Sequence, residues 1–200
     1  MLTQLPGFQD AVHDAQQTFR ALLEALSRPG LPQTTAVLTP PVGLLPSCAA
    51  AALTLLDLET VVWLQPDLPS AVRDWLLFHT GCPFTKEPQA ADFAVIGDVA
   101  CMPDLKVFNW GSPEYPEAAT SLLLQCGELS GGPAISLQGP GIAAAIAVEL
   151  PLPPQFWQQW QAMTASYPLG IDGWCFGHQQ VIGLPRTARP VLPAPPPEVS

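Results

Sequence analysis

Thr60-Val61-Val62-Trp63-Leu64, then Pro69-Ser70 leading into Val72, Trp75, Leu76 and Phe78, then Gly81-Cys82-Pro83, then Asp92-Phe93-Ala94-Val95-Ile96: this passage decides the fold. Its outer pieces are short runs of β-branched, aromatic and aliphatic residues, the composition of buried strands. Its middle piece opens on Pro-Ser, spaces apolar residues three and four apart, and stops at Gly-Cys-Pro, the marks of a helix. Strand, helix and strand in that order predict a βαβ unit with a right-handed crossover, and hence an α/β fold.

Upstream, residues 10–27 place Val12, Ala15, Phe19, Leu22, Leu23 and Leu26 on a helical repeat, with Asp10 as N-cap and Arg28-Pro29-Gly30 as the stop. Residues 33–38 read as a strand. Pro46-Ser47 opens an apolar helix to about Leu56, with Ser47 as its cap; having almost no polar face, it is expected to be buried on most sides. Downstream, residues 102–108 read as a short helix. Residues 121–129 and 134–138 read as two strands joined by Ser-Gly-Gly-Pro, and residues 142–150 are ambiguous between helix and strand. Residues 153–167 form a helix with Phe156, Trp157, Trp160 and Met163 on one face, a core stripe. Trp174-Cys175-Phe176 and Val181-Ile182-Gly183-Leu184 form a hairpin. Residues 1–188 are expected to make one domain, and residues 189–200 a Pro-rich tail, extended or disordered.

Leu129-Ser130-Gly131-Gly132-Pro133 and Gly139-Pro140-Gly141-Ile142 bracket the strand 134–138. Glycine reaches positive φ freely, and proline fixes φ and removes a donor, so backbone shape matters here. One reading is two tight turns in an antiparallel sheet. The other is a cluster of free N–H groups at Ser130, Gly131 and Gly132 that cradles an anion. The stretch matches no Walker or dinucleotide pattern.

Composition narrows the function. Only 12% of the 200 residues are charged, so part of the surface is expected to be apolar and covered by a partner. Seven Lys plus Arg against 17 Asp plus Glu give a net charge of −10 and no basic run, which argues against nucleic-acid binding. The same excess argues against an autonomous polyphosphate site, which needs cations or a metal. Five scattered cysteines without a CxxC pair fit a reducing cytoplasm, and no Cys/His spacing suits zinc. Neither a signal peptide nor an apolar run long enough to span a membrane is apparent.

Few residues could carry chemistry. His79 ends a helix, where an imidazolium suits the C-terminal dipole or a site. His13 reads as a solvated helix residue and His178 as a hairpin-turn residue; no histidine forms a triad with Ser or Cys. If His178-Gln179 make a two-residue turn, Gly177 faces Gln180, Asp172 faces Pro185, and Arg186 lies diagonal to Asp172. That pair either braces the hairpin base or points Arg186 at a ligand or partner anion. Arg20 lies near Glu24 at an i,i+4 spacing, a solvated helix pair by default. Lys86 and Lys106 are the only lysines, and neither stands out as a Schiff-base residue.

These residues meet a known family. His13-Asp14-Ala15-Gln16-Gln17-Thr18-Phe19-Arg20 with Ser27-Arg28-Pro29-Gly30 resembles the opening helix of the PhnH family, the H subunit of the bacterial carbon–phosphorus lyase system. Val62-Trp63-Leu64, Phe78-His79-Thr80, Asp92-Phe93-Ala94, Pro116-Glu117-Ala118-Ala119-Thr120, Leu129-Ser130-Gly131-Gly132, Gly139-Pro140-Gly141-Ile142, Pro168-Leu169-Gly170-Ile171-Asp172 and Pro185-Arg186-Thr187 follow the family in order, from about residue 10 to 188. The chain departs from it at Ala143-Ala144-Ala145-Ile146-Ala147, where members often carry charge, and in its proline-rich loops.

The resemblance implies a three-layer α/β architecture, a mixed sheet flanked by helices, related to PLP-dependent transferases but without a PLP site or any other cofactor. It implies a subunit that acts with the G, I and L subunits to transfer ribose 5-triphosphate from ATP to methylphosphonate, making alpha-D-ribose 1-methylphosphonate 5-triphosphate, mainly as an assembly component with no catalytic residue or metal of its own. It also implies a homodimer when isolated and a core complex with G, I and J, with ATP and methylphosphonate met only through that complex. Arg20, His79, Ser130, Gly131, Gly132, Asp172 and Arg186 stand as candidate ligand or partner contacts. The alternatives are a free-standing PLP enzyme and a small-molecule module that presents ATP or a phosphonate through residues 130–132.

Overall fold

The computed structural model describes residues 5–192. In chain order the elements are α1 (Ala11–Ser27), β1 (Gln33–Thr34), α2 (Pro46–Leu55), β2 (Val62–Leu64), α3 (Ser70–Thr80), β3 (Phe84–Thr85), β4 (Phe93–Ile96), β5 (Ser121–Gly127), β6 (Ile135–Gln138), β7 (Ile146–Val148), α4 (Pro154–Thr164), β8 (Asp172–Gly177), β9 (Gln180–Leu184) and β10 (Arg189–Val191). Seven strands form one sheet in the order β1-β9-β8-β5-β4-β2-β3; β10-β6-β7 form a second, smaller one. In the large sheet, neighbours from β3 to β8 pair parallel, and β9 runs antiparallel to β8 and β1.

Side chains alternate across a strand, so each strand of the large sheet feeds two cores. Leu123, Val95, Val62, Trp174, Phe176 and Val181 point to one face and pack beneath α1, α2 and α3. Leu122, Leu124, Ala94, Ile96, Trp63, Cys175, Ile182 and Leu184 point to the other, beneath α4 and the small sheet. Covering on both faces explains why β4 and the Leu122–Leu124 stretch of β5 read as apolar runs.

The βαβ passage folds as its sequence predicts: Val62 pairs with Phe93 and Leu64 with Val95, parallel, with α3 between the two strands in the chain. The two-residue edge strand β3 intervenes before β4 and takes the other side of β2. Asp10 caps α1, its Oδ1 accepting from the Val12 and His13 amides at 3.2 and 3.0 Å. The apolar residues of α1 divide, however: Leu22 is buried with Thr18, Ala21 and Ala25, while Phe19 and Leu23 face outward. Glycine and alanine explain the shift, since a Cβ on Gly183 of β9 would lie 2.3 Å from the Ala25 backbone. Helix and strand therefore touch nearly backbone to backbone, and the small face of α1 goes inward.

Several expectations need correction. The strands around Ser-Gly-Gly-Pro are not partners: β5 is central in the large sheet and β6 central in the small one, so residues 128–134 cross between sheets. The antiparallel partners of β6 are β7 and β10. Ser47 is not the cap of α2. Leu45 holds that position without a side-chain bond, and the Ser47 hydroxyl donates instead to the Gly177 carbonyl of β8. A buried serine without water completes its bonding with the nearest carbonyl, here one on the sheet. The strand expected at 33–38 shrinks to β1, residues 142–150 yield the strand β7, and residues 102–108 contain only the 3-10 turn Leu105–Val107. Arg189–Val191, at the start of the segment expected to be a tail, is a strand that pairs with β6; residues 193–200 lie outside the described residues.

Candidate functional site

Open α/β sheets bind ligands where neighbouring parallel strands send their following connections to opposite faces. Here β2 leads to α3 on one face, and β4 leads to residues whose Val99, Leu105 and Phe108 pack on the other. The point between them is bridged by Gln65, a buried side chain whose Nε2 donates to the Asp98 carbonyl (3.1 Å) and whose Oε1 accepts from the Asp98 amide (2.8 Å). Leu68 fills the space a Cβ on Gly97 would need. Beside this plug a crevice of about 410 Å³ opens at the carboxyl ends of β4 and β5, walled by Gly43-Leu44-Leu45, Gly97-Asp98-Val99 and Gln125-Cys126-Gly127.

The crevice borders the start of α2, yet that helix end offers an anion little. The Leu45 amide is taken by Oε1 of Gln125 (2.6 Å), Pro46 has none, and the Ser47 amide is taken by the His178 carbonyl (3.2 Å). Gln125 is buried, and its Nε2 donates to the Gly43 carbonyl (3.1 Å) while its Oε1 holds the Leu45 amide. The charged group at the rim is Asp98, which also pushes the Cys101 thiol above its ordinary range through their hydrogen bond. The charge at the crevice is therefore negative, which opposes a phosphate. Sequence reading passed over these residues. The available signal was a Gly-Asp pair directly after a buried parallel strand, and a lone glutamine in the apolar run of β5.

The residues singled out from sequence fall at separate places. Asp172 and Arg186 come together as the hairpin register requires, since Gly173 pairs with Leu184 and Phe176 with Val181. Arg186 Nε and Nη2 donate to Asp172 Oδ2 at 3.0 and 2.7 Å, and Nη1 donates to the Pro116 and Pro168 carbonyls at 2.8 and 3.2 Å. Asp172 Oδ1 accepts the Arg186 amide at 2.7 Å. The guanidinium thus ties three chain segments together at the amino end of β8.

His79, in the last turn of α3, donates from Nε2 to the Leu5 carbonyl (3.1 Å), which also accepts from Trp75 Nε1 (3.0 Å). It pins Leu5 to α3. Arg20 is not paired with Glu24; that carboxylate is held by Arg28 Nε at 2.9 Å. A residue at the helix end gains from the C-terminal dipole as well as from the pair, which favours Arg28 over Arg20.

Of the glycines in residues 130–141, Gly132, Gly139 and Gly141 are used for close packing, while Gly131 has open space beside it and a positive φ of 88°. A Cβ on Gly132 would lie 1.9 Å from the Leu150 oxygen, one on Gly139 2.4 Å from that of Thr187, and one on Gly141 2.1 Å from that of Ser27. The Gly132 amide is also spent, donating to the Glu149 carbonyl at 2.7 Å. Both lysines are exposed, and Lys106 meets Asp104 at 3.4 Å, so neither has the desolvated amine that Schiff-base chemistry needs. Burial pushes the thiols of Cys48 and Cys82 up, and the adjacent Cys126 thiol together with burial does the same at Cys175.

Fold and site together define a mixed-sheet α/β protein whose charged and glycine-rich elements hold its own scaffold, and whose carboxyl-edge crevice is acidic. Within that class the chain belongs to the PhnH family: the model of the family described as "Bacterial phosphonate metabolism protein (PhnH)" matches residues 6–190. A relative from Rhizobium meliloti (strain 1021), "Alpha-D-ribose 1-methylphosphonate 5-triphosphate synthase subunit PhnH", is 36% identical over 186 residues, 92% of this chain and 93% of its own. A "Putative C-P lyase subunit protein HtxG" from Stutzerimonas stutzeri is 32% identical over 80 residues, 40% of this chain and 41% of its own.

Proposed function

We propose that this protein is a subunit of the carbon–phosphorus lyase system of phosphonate catabolism. It serves with the G, I and L subunits in the transfer of ribose 5-triphosphate from ATP to methylphosphonate. The observation that carries the reading is the likeness to the Rhizobium relative along nearly the whole of both chains. The spent cation of Arg186, the packed glycines and the acidic crevice favour an assembly role, with ATP and methylphosphonate met through the complex and the positive charge supplied by other subunits. Its partners are the G, I, J and L subunits and, in isolation, a second copy in a homodimer; its place is the cytoplasm. Residues 1–188 act as one unit related to PLP-dependent transferases but lacking the cofactor; the exposure of Lys86 and Lys106 favours only the last part of that reading.

The test is a chromosomal deletion complemented with this chain. Growth on methylphosphonate as sole phosphorus source, with co-purification of tagged G, I and J subunits, is expected. A monodisperse chain that joins none of them refutes the proposal. The competing reading, a free-standing PLP enzyme, requires an absorbance change on adding PLP that Lys86→Ala or Lys106→Ala removes.

A further inference from the structure

The edge of the large sheet at α1 and β1 combines an open strand edge, an exposed apolar stripe and a groove. Between helix and strand runs an open groove of about 650 Å³, whose lining includes Arg20, Leu23, Glu24, Gln33 and Thr34. Val12, Phe19 and Leu23 are 82%, 47% and 54% exposed, and their spacing of seven and four puts them in one stripe along α1. Leu31 and Val37, on either side of β1, are exposed as well. β1 pairs only with β9, so its outer edge is open among the described residues.

Arg20 stands in this groove without a carboxylate within ion-pair reach among the described residues, because Glu24 is engaged by Arg28. On a chain with 17 acidic and seven basic residues, an arginine left free beside an apolar stripe, with the Glu24 carboxylate of the same groove already held by Arg28, has room for one added carboxylate. It selects a partner that is apolar and bears a carboxylate. A two-fold contact with a second copy would set groove against groove, bringing another Arg20 and an already engaged Glu24.

We infer that the α1–β1 edge is where another subunit of the assembly docks, through an apolar segment whose carboxylate meets Arg20. This rests on the assembly role proposed above and names the surface that carries it.

The experiment co-expresses the full chain with the G, I and J subunits and compares wild type with Phe19→Ser/Leu23→Ser, Arg20→Glu and Arg20→Lys. The first two are expected to lower co-purified subunits by about tenfold or more, with Arg20→Lys retaining an intermediate amount. Circular dichroism and the urea midpoint stay at wild-type values, since the altered side chains are exposed. Wild-type recovery of subunits by the first two variants overturns the inference while leaving the assembly role standing. So does a shift from dimer to monomer by light scattering with the subunits retained, which would assign the edge to a second copy. A wild type that brings down no subunit refutes the assembly role and this inference with it.

Discussion

Replacing Arg186 with Met removes a guanidinium that makes four hydrogen bonds: two to Asp172 Oδ2 and one each to the Pro116 and Pro168 carbonyls. Methionine keeps much of the stem volume, so the change is mainly one of charge and bonding. The side chains of Arg186 and Asp172 are 14% and 26% exposed, which places the pair between a buried and a surface bridge. Breaking a buried pair costs about 3–5 kcal/mol, because the remaining charge loses its partner. A carboxylate still partly wet, and still accepting the residue 186 amide, points to the lower end, about 3 kcal/mol. For a chain of this length that lowers Tm by roughly 6–12 °C. Urea unfolding measures it directly, as a drop in midpoint at constant m. The double variant Asp172→Asn/Arg186→Met should recover about 1–2 kcal/mol relative to the sum of the singles, since neither partner is then left charged and alone. A single variant within about 0.5 kcal/mol of wild type would refute the brace. If that variant also lost its partner subunits, Arg186 would be a contact residue instead.

Gly132→Ala, whose Cβ would meet the Leu150 backbone, should cost about 3 kcal/mol or more. Gly131→Ala has open space and only a positive φ to oppose it, so it should cost about 1 kcal/mol; an anion cradle would instead make both variants stable and ligand-deficient. Alkaline pH should destabilise the fold. Cys48 and Cys175 are fully buried and hold their protons above the ordinary thiol value of 9.0, whereas the unfolded thiols ionise there. Above about pH 9 the unfolded chain binds fewer protons, so stability falls by up to about 1.4 kcal/mol per pH unit for each thiol and is unaffected below pH 8. Urea midpoints from pH 7 to 10.5 check this, and Cys48→Ala/Cys175→Ala should flatten the decline. His79→Ala should cost about 1 kcal/mol and expose the segment that follows Leu5 to protease, with His79→Gln recovering part, as limited proteolysis would read.

Much of the fold was legible because its signals are local. Asp10 and Gly81 mark the ends of their helices with their own chemistry, a side-chain cap and a positive φ of 70°. The hairpin register follows from a two-residue turn, and that register alone delivers Arg186 to Asp172. What was illegible depends on which sheet a strand joins. A run such as 134–138 looks the same whether it pairs with the strand before it or crosses to another sheet, since the alternation that buries Ile135 and Leu137 is satisfied either way. The inward face of α1 is hidden from the sequence for a related reason. Leu23 and Phe19 are larger than Ala21 and Ala25, but the approach of Gly183 rewards the small residues.

That last point bears on function. A helix that turns its small face inward must carry its large apolar residues outside, and Val12, Phe19 and Leu23 are the consequence. Leaving them in water costs the free energy that burial would otherwise return, about 25 cal/mol per Å² of apolar surface. A folded chain with so few charges has little else to keep such a stripe soluble. Cover from another protein resolves the conflict between packing α1 against β9 and hydrating its far side. The close contact at Gly183 and the exposed stripe are thus two results of one placement. Gly183→Ala should disturb both, pushing α1 off the sheet and weakening partner recovery, whereas Leu23→Ser should weaken recovery with the fold intact. Equal losses of stability in the two variants would break that link.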